Sequence, residues 1–87
     1  MKLYDINQKM YELQEEIEDF MKNISGEVYE CAVVVEGDTM RIKLEGEMEF
    51  MEVVIDEFDN FYIEVATSTL DYKYQEKLLE YLEELEF

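Results

Sequence analysis

The chain has 87 residues, 48% of them hydrophobic and 14% aromatic, with 24 acidic residues against 7 basic ones and a net charge of −17. That length suits one domain over 1–87, and the apolar and aromatic content is too high for a disordered acidic tail. With no His, one Cys and three scattered glycines, the chain offers no His-based triad, no internal disulfide and no Gly-rich phosphate loop, so the expectation is a protein that is not an enzyme and holds neither cofactor nor metal.

From the N-terminus, Ile6, Met10, Leu13, Ile17, Phe20 and Ile24 recur at steps of four and three, which predicts an amphipathic helix over 5–24. Asp5 with Gln8 fits a capping box at its start, and Ser25-Gly26 ends it. Glu12, Glu15, Glu16, Glu18 and Asp19 fall away from the apolar stripe and are expected in solvent.

The period then changes to two. Strands are predicted over 28–36, 39–44, 49–56 and 61–66, with turns at Glu36-Gly37-Asp38, Glu45-Gly46-Glu47 and 57–60. Short turns between sequential strands predict an antiparallel meander. Met40, Ile42, Leu44, Phe61, Ile63 and Val65 are expected inward, and Arg41, Lys43, Tyr62 and Glu64 outward. On the first and third strands both faces are apolar, so the inward set stays open; the set left outside would form an exposed apolar patch, the mark of an interface. Thr67–Thr69 reads as a cap cluster, with Ser68 and Asp71 as a capping box. Leu70, Tyr74, Leu78, Tyr81, Leu82 and Leu85 then mark a C-terminal helix whose other face carries Glu76, Glu80, Glu83, Glu84 and Glu86. The predicted fold class is therefore α+β, a four-stranded antiparallel meander flanked by an N-terminal and a C-terminal helix, both on one face.

Cys31 sits mid-strand in acidic surroundings and reads as a small buried hydrophobe rather than a reactive thiol. The segment Asp56–Asn60 is rich in oxygen ligands but lacks the spacing and the glycine of a calcium loop, and reads as a hairpin turn. The single Cys, the lack of an apolar run near ~20 residues and the lack of a signal-peptide core predict a cytoplasmic protein.

Charge is the dominant property. A 30 Å length of duplex DNA carries about 18 phosphate charges, much the same as this chain's −17. Carboxylates two apart on a strand lie ~6.6 Å apart, and those four apart on a helix ~6 Å. Both spacings are of the order of neighbouring phosphates, so such side chains can occupy the Lys and Arg pockets that hold a nucleic-acid backbone.

In length, charge, absence of His and Pro, and helix–sheet–helix order, the chain resembles the small acidic DNA-mimic inhibitors that phages make, in style the type II-A anti-CRISPR proteins that block Cas9. The resemblance implies a basic DNA-binding groove as target, with Cas9 and its guanine-reading arginines the implied partner, in the cytoplasm of a host bacterial cell. The expected binding residues are the hairpin acids Glu45, Glu47 and Glu49 and the turn acids Asp56, Glu57 and Asp59. Tyr62 would serve as an aromatic anchor, and Glu15, Glu16 and Asp19 as a supporting rim. No direct contact with nucleic acid or membrane is expected, and the chain would be a monomer or a homodimer. Two other readings stay open: an adaptor that dimerises or docks through an exposed sheet face, and a divalent-cation binder.

Overall fold

The computed structural model describes residues 10–56 and 62–84. Helix α1 (Met10–Ser25) leads into four strands, β1 (Glu30–Glu36), β2 (Thr39–Glu45), β3 (Phe50–Asp56) and β4 (Tyr62–Ser68), and helix α2 (Tyr72–Glu84) follows. The strands form one antiparallel sheet in the order β1-β2-β3-β4. This is the predicted α+β meander with two helices. The predicted cap at Asp5 and Gln8 lies outside the described residues, as do Phe61 and Leu85. Among the described residues no helix is long and apolar enough to cross a membrane.

α1 forms because Leu13, Ile17 and Met21 repeat every fourth residue and bury one stripe, while Phe20 and Ile24 flank it half-buried. Met21, absent from the predicted stripe, is fully buried. The helix stops where Gly26 takes a φ of 76°, a left-handed conformation that costs glycine little, and donates its N–H to Lys22 C=O at 2.8 Å. α2 begins differently from the prediction. Asp71 is its N-cap, with Oδ1 accepting from Lys73 N–H at 3.0 Å and its carbonyl accepting from Gln75 N–H at 3.1 Å. Ser68 instead ends β4, which runs two residues past its predicted end, and its Oγ accepts from Leu70 N–H at 3.1 Å.

Both helices pack on one sheet face. Tyr29, Cys31, Val33, Met40, Ile42, Leu44, Met51, Val53 and Ile55 point into a single core with Leu13, Ile17, Met21, Leu70, Leu78 and Leu82. That settles the open choice on β1 and β3. Each such buried side chain contributes roughly 1.5–3 kcal/mol. The two helices meet through a Phe20–Tyr81 stack with ring centroids 4.3 Å apart. The opposite face of the sheet has no described layer over it. It presents Ala32, Val34, Arg41, Lys43, Phe50, Tyr62 and Glu64 to solvent, with Val54 half-buried among them.

The two edges of the sheet differ. Glu18, expected among the solvent-facing acids, is half-buried: its Oε2 accepts from Cys31 N–H at 2.8 Å, and Gln14 Oε1 accepts from Val33 N–H at 2.9 Å. Side chains of α1 thus satisfy the outward amides of Cys31 and Val33 on edge strand β1. Because Cys31 and Val33 bond away from β2, the alternation of antiparallel ladders sets every other strand's bonding direction. Carried through the registers, Val54 and Asp56 bond toward Glu64 and Tyr62 on β4, while Ile63 and Val65 turn their backbone groups to the far edge. The Thr69 N–H donating to Phe50 C=O at 2.9 Å fits the same parity. A bulge follows: Val65 faces Val53 and Thr67 faces Glu52, so Ala66 has no opposite residue.

Candidate functional site

One end of the sheet concentrates carboxylates, and the local backbone explains why. After Gly26 the chain carries Glu27 and the exposed Val28 across the sheet end, then turns Tyr29 into the core before Glu30 opens β1. The two-residue turn Gly37-Asp38 sets Glu36 opposite Thr39, and counting back along that register places Glu30 opposite Glu45. The chain leaving β2 folds tightly at Gly46, whose N–H donates to Glu49 C=O at 2.7 Å. The Tyr29 ring lies so close to Gly46 that a Cβ there would sit 2.6 Å from it. The Tyr29 hydroxyl donates to Glu49 Oε2 at 3.1 Å and lies 3.5 Å from Glu27 Oε2. Burial, then the bond and charge of Glu49 and the charge of Glu27, push this phenol up to about 12, so it remains a donor.

Five carboxylates, Glu27, Glu30, Glu45, Glu47 and Glu49, therefore share one end of the molecule. Glu30 and Glu45 stand directly across from each other, a pairing of like charges that a sheet ordinarily avoids. Two large apolar side chains stand among them, Val28 at 72% exposure and Met48 at 89%. No described basic residue pairs with these acids. The one ion pair among the described residues, Arg41 with Glu52 at 3.7 Å, lies on the open sheet face, and Lys43 sits beside it. Among the described residues no group of three or more metal-ligating side chains is placed to hold an ion.

The residues expected from sequence fall in three places. Glu45, Glu47 and Glu49 are together at the acidic end. Asp56 and Tyr62 face each other at the opposite end of the strands, about 20 Å away for the six-residue rise of β3. There the Tyr62 hydroxyl donates to Glu64 Oε2 at 2.9 Å, and that bond, with the Glu64 charge, raises the phenol. Glu57 and Asp59 lie outside the described residues. Glu15, Glu16 and Asp19 are exposed on α1, in the other layer. The charge of Glu16, second to burial, raises Tyr81 on α2, which places this rim beside the helix pair rather than beside the sheet end.

Glu27, Glu30, Tyr29 and Gly46 were not among the expected site residues. The two-residue turn carried the signal for Glu30, since it fixes the register back to Glu45. Nothing local in the sequence marks the approach of Tyr29 to Gly46. Compared with known protein families, with curated proteins and with solved structures, the chain finds no match.

Proposed function

We propose that the protein is an inhibitor that acts as a nucleic-acid mimic, filling the basic DNA-binding groove of a nucleic-acid-handling protein, with Cas9 the target its sequence style implies. The observation that supports the reading best is the sheet end just described: Glu27, Glu30, Glu45, Glu47 and Glu49 held together with no described basic residue in an ion pair with any of them. Such an arrangement costs the free protein repulsion that a cationic partner would relieve. Arginines that bind phosphates accept carboxylates through the same two-pronged hydrogen bonds. Asp56, Tyr62 and the α1 acids would contact the periphery of a large partner or none of it.

The test is binding to purified Cas9–guide RNA complex, with DNA cleavage followed in parallel. The unsubstituted protein should bind, block cleavage and lose affinity steeply as salt rises. Glu45→Lys with Glu47→Lys should weaken binding by several kcal/mol, because partner arginines would then face like charge. Glu15→Lys with Asp19→Lys should cost much less. Absence of binding to Cas9 would reject the named target. Equal small losses from both pairs would reject a localised mimic site.

A second reading is favoured by one observation, the uncovered sheet face with Val34, Phe50 and Tyr62 each more than two-fifths exposed. An adaptor docking through that face would bind with little dependence on salt, which separates it from the mimic.

A further inference from the structure

Among the described residues, α1 side chains bond to the β1 edge of the sheet, and the β4 edge has no such bonds. On β1, Gln14 and Glu18 take up the amides of Val33 and Cys31. On β4, the register turns Ile63 and Val65 outward, and among the described residues no hydrogen bond reaches those groups. Helix coverage follows the same asymmetry. Cys31, Val33, Ile42, Met51, Val53 and Ile55 are buried beneath the helices, whereas Ile63 and Val65 on the same face are only half-buried. A strand with free backbone groups and half-covered apolar side chains is a template for another strand.

We infer that β4 pairs antiparallel with β4 of a second copy of this chain, joining two four-stranded sheets edge to edge. Charge distribution selects this occupant and this edge. β1 carries Glu30 and Glu36, β2 carries Arg41, Lys43 and Glu45, and β3 carries Glu52 and Asp56, but β4 carries Glu64 alone. Of the two edge strands it brings the smaller acidic charge of its own to an edge contact. A two-fold axis through Val65 sets Glu64 against Ala66 of the second copy rather than against itself. It also puts the two β1 strands, and the acidic α1 helices packed beside them, at the far flanks. Seven strand spacings of ~4.8 Å separate those strands by about 34 Å, several times the ~8 Å Debye length at physiological salt. By the same axis the stretch before the bulge faces the stretch after it, where Thr67 turns back toward Glu52, so the pairing is confined to Val65 and its immediate neighbours, which keeps the association modest. The acidic sheet ends stay free, one on each copy.

The experiment is sedimentation of the full chain from micromolar to millimolar concentration, at low and at moderate salt, with amide hydrogen exchange on the same samples. The expected result is a monomer–dimer equilibrium that strengthens as salt rises, opposite in sign to binding of a cationic partner. The amide of Val65 should become protected as protein concentration increases. Val65→Pro removes an outward N–H and no ladder bond to β3, so it should weaken the dimer about tenfold or more while leaving the monomer folded. A monomer at millimolar concentration in moderate salt would overturn the inference. So would a dimer whose Val65 amide exchanges independently of concentration, since association would then use the open sheet face. If Val65→Pro does not fold, exchange in the unsubstituted protein decides between the same outcomes.

Discussion

Gly46 and Tyr29 are each other's constraint. With a Cβ at position 46 the nearest ring carbon would lie at 2.6 Å, and Tyr29, 2% exposed, has no free side to move into. Gly46→Ala should therefore destabilise the fold by about 1–3 kcal/mol, the ordinary cost of overpacking, measured as a fall in the urea midpoint. An unchanged midpoint would show that the ring can yield. Ionisation at the same place sets a pH limit. Burial and the neighbouring Glu49 and Glu27 raise Tyr29 from 10.0 to about 12, and burial followed by the charge of Glu18 raises the Cys31 thiol from 9.0 to about 12. Both groups keep protons in the folded state that the unfolded chain gives up at lower pH. Their contribution is thus complete below pH about 9 and is lost as pH rises toward about 12. Stability should decline across that window, and Tyr29→Phe should flatten the decline. A profile identical in the two proteins would rule out the Tyr29 contribution.

At the scale of elements, the contact between α1 and the edge of β1 links helix to sheet through polar bonds as well as apolar packing. Gln14→Ala and Glu18→Ala should each cost ~1 kcal/mol, with more from the charged acceptor. Each should speed hydrogen exchange of its own partner, Val33 or Cys31. Unchanged exchange would mean that other groups satisfy these amides. This contact also shows where sequence reading stops. The helices and strands were legible because Leu13, Ile17, Leu78 and Leu82 keep a helical period and Met40, Ile42 and Leu44 a period of two. The inward faces of β1 and β3 were not, because Val34 and Val54 are as apolar as Val33 and Val53, and only helix packing decides between them. Glu18 looked like one more solvated acid, since its role depends on an amide 13 positions along the chain. Asp71 was assigned one turn too deep because Ser68 and Asp71 also satisfy the spacing of a capping box. For the acidic end, composition pointed to Glu45, Glu47 and Glu49, whereas the addition of Glu27 and Glu30 needed the register.

For the whole molecule, net charge of −17 and a single described ion pair mean that repulsion outweighs attraction across the surface. Screening should then stabilise. Between about 0.01 M and 0.15 M salt the Debye length falls from ~30 Å to ~8 Å, short against a body 33 Å long. The melting temperature should rise by several degrees, given that each kcal/mol moves it ~4–8 °C in a domain of this size. A steady fall over that range would mean that attractive pairs dominate. The measurement belongs at micromolar concentration or below, so that self-association does not add its own stabilisation.

The order of the sheet, in which every strand lies beside the one that precedes it in the chain, also has a consequence in time. Neighbour-on-neighbour pairing keeps loop closures short, and mixed folds of this kind assemble on a scale far below a second. With no proline in the sequence, the isomerisation that holds other chains back for about 10–100 s is absent. A ribosome adding roughly 5–20 residues per second needs several seconds to make such a chain. Translation, not folding, therefore sets how soon each copy becomes competent, and the supply of working protein tracks its synthesis without a lag.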